Sequence, residues 1–220
     1  LVSFATGALL GAALIALIPH AMAGGDERHI HAVGFALLIG IGVFFILEKF
    51  LLWRHCHIED CAEHEPRARP RQVATGPLVL IGDALHNALD GVLIAAAFLT
   101  DPHLGWVATL AVLAHEIPQE VGNFAVLLHA GMSRARALVW NLLVSLTSVL
   151  GGVAGYVALN PVLDMLPFAL AFAAASMLYV AIADLIPGLH RRVDLPGSLA
   201  QVALIAAGVV AVLIAETHAH

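Results

Sequence analysis

The chain has 220 residues, of which 60% are hydrophobic and only 12% are charged. Soluble domains are about half apolar and a quarter charged, so this composition excludes an ordinary soluble protein and indicates an integral membrane protein. The net charge of −6, with histidine neutral, argues against nucleic-acid binding, which needs a basic surface.

Apolar runs of about 20 residues, the length that a helix needs to cross a bilayer, recur along the chain. We predict seven spans, at residues 1–22, 32–53, 73–99, 104–129, 135–159, 165–187 and 198–216. The first run lacks a basic leading segment and an evident cleavage site, so we interpret it as a span and not as a signal peptide. The predicted fold class is all-α, a polytopic transmembrane helical bundle that forms one domain over residues 1–220.

The arginines predict the orientation of this bundle, because basic residues concentrate in cytoplasmic loops. Almost all of them follow the second, fourth and sixth spans: Arg67, Arg69, Arg71, Arg134, Arg136, Arg191 and Arg192. We therefore expect the loop 54–72 to be cytoplasmic and the C-terminus to lie outside, in a plasma or inner membrane. Residue Leu1 would then lie on the cytoplasmic side, and we expect a further span to precede it.

Two neighbouring spans carry histidines and carboxylates within apolar sequence, where ionisable groups are costly and mark an ion or substrate path. In the third span the polar residues are spaced three or four apart and share one helix face: Asp83, His86, Asn87 and Asp90. The fourth span carries a second group of polar residues. His115 and Gln119 share one helix face, and Glu116, Glu120 and Asn123 are more loosely aligned with it.

The short turn 100–103 makes these two spans antiparallel neighbours, so His86 and His115 reach a similar depth. We predict one buried divalent-cation site between them. Imidazole and carboxylate ligands suit Zn2+, and also Fe2+, Mn2+, Co2+ or Cd2+, whereas the absence of sulfur argues against Cu(I). The segments 86–91 and 115–120 also echo each other, which indicates an inverted repeat with the site at its midplane.

These motifs resemble those of the ZIP (Zrt/Irt-like) family of divalent-metal transporters. The chain is similar to the subgroup with DxxHNxxDG on one helix and HEIPHE-x-GD on the next, which read here as segments 83–91 and 115–123. The resemblance extends to Glu48-Lys49 and to Tyr179 through Pro187. It implies a bundle of eight spans with an inverted repeat, of which this chain carries the last seven. It also implies that such proteins often form homodimers in the lipid bilayer and that one bundle moves past the other during transport.

The resemblance also implies roles for individual residues. The main metal site would comprise His86, Asp90, His115 and Gln119. An adjoining second site would add Asn87 and Glu116, and Asp184 would lie along the exit path.

The chain departs from the subgroup at several positions. Gln119 stands where the subgroup usually has His and Asn123 where it usually has Asp, while Ala12, Ala16 and Gly188 replace other polar family residues. Gln119 also stands where the family often has a Glu that bridges two metal ions, and Ser148 stands where it often has a further Glu. An amide offers only one neutral oxygen for bridging, so we expect one tightly held ion.

The loop 54–72 contains His55, His57 and His64 beside two cysteines. These residues could capture metal at the cytoplasmic mouth, but the polar composition favours a solvated loop. Two other functions stay open. A membrane zinc hydrolase is suggested by His115-Glu116, which opens an HExxH motif, although Gln119 stands where that motif needs its second His. The other open function is a metal sensor, which would bind a metal ion without transporting it. We expect a transporter and not an enzyme.

Overall fold

The computed structural model describes the backbone of residues 1–60, 69–190 and 194–217, and the side chains of these ranges except for residues 50–78. Within these ranges the chain forms seven long helices and no strand, which confirms the predicted all-α fold class. They are α1 (Val2–Met22), α2 (Glu27–Asp60), α3 (Arg69–Thr100), α4 (Pro102–His129), α5 (Arg134–Leu159), α6 (Leu163–Leu189) and α7 (Leu195–Thr217).

Six of the helices in the described ranges are long and apolar enough to cross a membrane. The exception is α4, which corresponds to the predicted span 104–129. It has 28 residues, so its length suffices. Its composition does not, because His115, Glu116, Gln119 and Glu120 interrupt the apolar sequence. The helix that is not apolar enough therefore carries half of the predicted metal site.

The polar segment between α2 and α3 is shorter than predicted. Helix α2 continues to Asp60 and α3 begins at Arg69, so residues 54–60 and 69–72 are helical where we expected a loop. A helix satisfies its own backbone groups by bonds within the segment, so it needs no lipid around it. The end of the apolar run therefore does not fix the end of the helix.

Glycines allow two pairs of helices to approach closely. A Cβ atom on Gly91 of α3 would lie 1.9 Å from the Ser148 carbonyl oxygen of α5, and one on Gly151 would lie 2.0 Å from the Ala88 oxygen. At the α1–α7 contact, a Cβ on Gly7 would lie 2.0 Å from the Ile205 oxygen. Small residues let helix backbones approach closely in membranes, and these contacts hold α3 against α5.

Helices α1 and α6 form much of the buried core and share an irregularity that sequence reasoning missed. Each contains a six-residue π-helical segment, Ala12–Leu17 in α1 and Val180–Leu185 in α6. Each segment is followed by Ile-Pro, at Pro19 and Pro187. Proline lacks the N–H that a regular helix needs, so a change of hydrogen-bond register before it is a local solution. The likeness of the two segments supports an internal repeat.

Candidate metal site

The turn between α3 and α4 positions the two halves of the site. Asp101 caps α4, because its Oδ1 accepts hydrogen bonds from the backbone N–H groups of His103 at 2.7 Å and Leu104 at 3.3 Å. An aspartate cap satisfies N–H groups that have no partner within the helix, and Pro102 fits the first helical turn. The chain therefore reverses within a few residues, and α3 and α4 run side by side.

Four side chains converge at mid-length of this pair. The Nε2 atoms of His86 and His115 lie 3.3 Å apart. Asp90 Oδ2 lies 3.1 Å from His115 Nε2 and 3.6 Å from His86 Nε2, and Glu116 Oε1 lies 3.6 Å from both nitrogens. We call His86, Asp90, His115 and Glu116 the four-residue cluster. One potential ligand atom from each lies within 4.8 Å of all the others.

The local helix geometry explains why these atoms meet. His86 and Asp90 are four residues apart and therefore project from one face of α3. On α4, His115 points directly at that face, and the longer side chain of its neighbour Glu116 reaches the same point. His115 Nδ1 lies 3.1 Å from the Ala111 carbonyl oxygen. The ring therefore donates from Nδ1, which leaves the Nε2 lone pair directed into the cluster.

The cluster is buried. The side chains of His115 and Asp90 are 2% and 3% exposed, and those of Glu116 and His86 are 13% and 18% exposed. Asp90 Oδ2 and Glu116 Oε1 accept no hydrogen bond from a described residue in this structure. Two carboxylate oxygens thus face a pair of imidazole rings that contact each other, and neither oxygen has a hydrogen-bond donor among the described residues. Unpaired burial of this kind is costly, and a divalent cation would relieve it.

Gln119 and Asn87 lie beside this cluster and contact Asp83. The Gln119 amide donates to Asp83 Oδ1 at 3.0 Å, and the Asn87 amide donates to the Asp83 carbonyl oxygen at 3.1 Å. Both predicted ligands therefore use their N–H groups within a neighbouring polar group centred on Asp83. Sequence reasoning placed Asp83 on the ligand face of α3 but missed its bond to Gln119, because that bond joins two helices.

Comparisons with known proteins support the reading of these motifs. Residues 55–216 match the ZIP zinc transporter family. The chain belongs to this family. Zinc transporter ZIP13 of Pongo abelii is 31% identical over 226 residues, which cover 97% of this chain and 65% of that protein. Zinc transporter ZIP13 of Homo sapiens is 31% identical, covering 97% of this chain and 69% of that protein. Zinc transporter ZIP4 of Mus musculus is 32% identical, covering 87% and 38%.

The chain thus spans about two thirds of the length of the ZIP13 relatives. Membership of the ZIP family assigns it to a family of membrane transporters and not to one of hydrolases, in agreement with the expectation from sequence. The six apolar helices of the described ranges agree with an integral membrane protein. The incomplete HExxH motif contributes its first two residues, His115 and Glu116, to the four-residue cluster.

Helix α5 supports the polar side of α4. Ser145 donates to Glu120 Oε1 at 2.5 Å, and the Asn141 amide donates to the Glu120 carbonyl oxygen at 2.9 Å. Asn141 and Ser145 of α5 thus form hydrogen bonds to α4. Ser148 instead donates within its own helix, to the Ser145 oxygen at 2.8 Å. Its hydroxyl does not join the four-residue cluster.

The remaining predicted pathway residues are Asn123, Asp184, His55, His57 and His64. Asn123 lies beside Asp83 on the next turn of α4 after Gln119. Asp184 lies in the π-helical segment of α6, close to Tyr179, whose hydroxyl donates to Glu48 of α2. The side chains of His55, His57 and His64 lie outside the described residues.

Proposed function

We propose that this chain transports divalent metal cations, zinc foremost, across the membrane into the cytoplasm, and that the four-residue cluster binds the cation on its way. The observation that carries the proposal is the convergence of two imidazole nitrogens and two carboxylate oxygens within 4.8 Å, buried between two helices. Membership of the ZIP zinc transporter family supports the same activity.

The ligand chemistry favours zinc. Zinc sites of histidines and carboxylates have metal–ligand distances of about 2.0–2.2 Å. Each pair of ligand atoms that includes a histidine nitrogen is 3.1–3.6 Å apart here, a separation that suits tetrahedral ligands around one such ion. Fe2+, Mn2+, Co2+ and Cd2+ accept the same donors, so selectivity depends on the rigidity of the cluster. Mixed nitrogen and oxygen ligation also lets the ion leave again, as conduction requires.

We infer that Glu116 supplies the fourth ligand, beside His86, Asp90 and His115, and that Gln119 and Asn87 act as neighbours that orient Asp83. The support is that the Gln119 amide already donates to Asp83. The expectation that Gln119 is itself a ligand remains the alternative. In either arrangement the amides add no charge, so one ion is held tightly at the four-residue cluster.

We further propose that the Arg-rich ends of the helices face the cytoplasm, following the positive-inside rule. The ion would then move from the side of the turn 100–103, through the cluster, towards the end of α3 that bears Arg69 and Arg71. Assembly as a homodimer is carried over as an expectation from the family.

The test is zinc uptake by the purified chain in liposomes that contain a zinc-sensitive dye. Wild-type protein should carry zinc inwards, and His86→Ala or His115→Ala should abolish uptake with normal protein yield. His31→Ala is the matched control, because the His31 side chain is 72% exposed and lies far from the cluster in sequence, at the start of α2. Normal uptake in the two cluster variants would refute the site. Tight zinc binding without any uptake would favour a sensor.

A further inference from the structure

Helix α5 is irregular where it passes α3 and α4. Its regular turns stop at Ser145 and resume at Thr147, and the Val149 N–H donates to the Leu146 oxygen only three residues back, at 3.1 Å. Hydroxyl residues surround this irregularity, which we call the α5 break: Ser145, Thr147 and Ser148. Hydroxyl side chains that bond to backbone oxygens of the preceding turn bend membrane helices. The α5 break therefore places three hydroxyl groups within an apolar span.

Thr147 joins the α5 break to α3. Its Oγ1 lies 2.9 Å from the Ala84 carbonyl oxygen of α3 and 2.6 Å from the Val144 oxygen of its own helix, so the hydroxyl is shared between the two. Ala84 lies inside α3, where a regular helix already gives each carbonyl oxygen a partner. The bond from Thr147 is therefore additional to those that form α3. Its effect is to hold α5 against the turn of α3 that leads into His86.

The turn before the α5 break holds α4 in the same way. Ser145 donates to Glu120 Oε1, and the Asn141 amide donates to the Glu120 carbonyl oxygen. Glu120 lies four residues after Glu116, so the two share one side of α4. Helix α5 thus bonds to both helices that supply ligands, and each bond lies within about one helical turn of a member of the four-residue cluster.

We propose that Thr147 and Ser145 are positioning residues, which set the separation of α3 and α4 and through it the size of cation that the four-residue cluster prefers. This inference rests on the proposed function. Each of the two helices supplies two members of the cluster, so the distances between ligand atoms follow the distance between the helices.

The size of the ion links this separation to selectivity. The pairs of ligand atoms that include a histidine nitrogen lie 3.1–3.6 Å apart, which suits zinc–ligand distances of about 2.0–2.2 Å. Cd2+ is a larger ion with the same kinds of ligand, and it needs wider separations. Helices that α5 holds in place therefore favour zinc over Cd2+, and helices released from α5 discriminate less between the two.

Metal titrations of the detergent-purified chain test this proposal, with Zn2+ and Cd2+ each added alone and followed by calorimetry. Thr147→Val keeps a branched side chain and removes the hydroxyl. Its zinc affinity should fall about tenfold and its Cd2+ affinity by less than about threefold, so that the preference for zinc narrows. Thr147→Ser keeps the donor and should retain the preference. Thr109→Val is the matched control and should retain it too, because the Thr109 hydroxyl donates at 2.7 Å to the Gly105 oxygen of its own helix.

An unchanged ratio of the two affinities in Thr147→Val would overturn the proposal, and so would an equal loss of both affinities, which a general loosening of the fold produces. Melting temperatures are measured on the same samples, and a lower value with an unchanged ratio would show a purely structural bond. If Thr147→Val does not fold, Ser145→Ala decides by the same ratio. Wild-type protein that binds no zinc would refute the proposed site itself, whereas normal zinc binding with an unchanged ratio in the variants refutes only the positioning role.

Discussion

Zinc affinity should fall steeply as the pH is lowered, because protons compete with the metal for imidazole nitrogen. The two Nε2 atoms of His86 and His115 lie 3.3 Å apart, so one bound ion needs both rings neutral. Each ring that takes up a proton lowers the zinc affinity by up to about tenfold per pH unit, so two rings lower it by up to about 100-fold per unit as the pH falls from 7.5 to 5.5. A single ring lowers the affinity by at most about tenfold per pH unit.

Calorimetric zinc titrations of detergent-purified protein across this pH range measure the dependence. The wild type is compared with His115→Ala, which removes one of the two rings, and with His31→Ala, which removes an exposed one. In His115→Ala the logarithm of the dissociation constant should change with pH about half as steeply as in the wild type, whereas His31→Ala should leave this slope unchanged. Equal pH dependence in all three proteins would show that the two imidazoles do not share one ion.

Three further predictions follow from the site and the packing. Glu116→Gln should weaken zinc binding by about tenfold or more, and by more than Gln119→Ala does, when both are titrated at pH 7.5; the reverse order would make Gln119 the ligand. Gly151→Ala should destabilise the protein by about 1–3 kcal/mol, because its new Cβ would lie 2.0 Å from the Ala88 oxygen, whereas Gly42→Ala has open space and should leave the thermal unfolding temperature nearly unchanged. A cysteine placed at Ala68, with Cys56 and Cys61 replaced, should resist impermeant thiol reagents in intact cells, and labelling from outside would reverse the proposed orientation.

Local sequence determined the helices and half of the site. Apolar run length predicts membrane helices because the bilayer thickness fixes how many residues must be apolar. Helix periodicity likewise places His86 and Asp90 on one face of α3, whatever packs against it. The close helix contacts at Gly7 and Gly151 were predictable for the same kind of reason, because small residues let backbones approach in lipid. The continuation of α2 to Asp60 was not predictable, because a helix satisfies its own backbone groups and need not end where the apolar run ends.

Only the tertiary structure decided which residues of α4 meet His86 and Asp90 of α3. Glu116 and Gln119 are both polar and both close to His115 in sequence, and motif spacing favoured Gln119. Which of them reaches the cluster depends on the rotation of α4 about its axis and on side-chain length. These are set by contacts with α3 and α5, such as the bonds from Gln119 to Asp83 and from Ser145 to Glu120. Such contacts join residues 25 or more positions apart, so no local pattern encodes them.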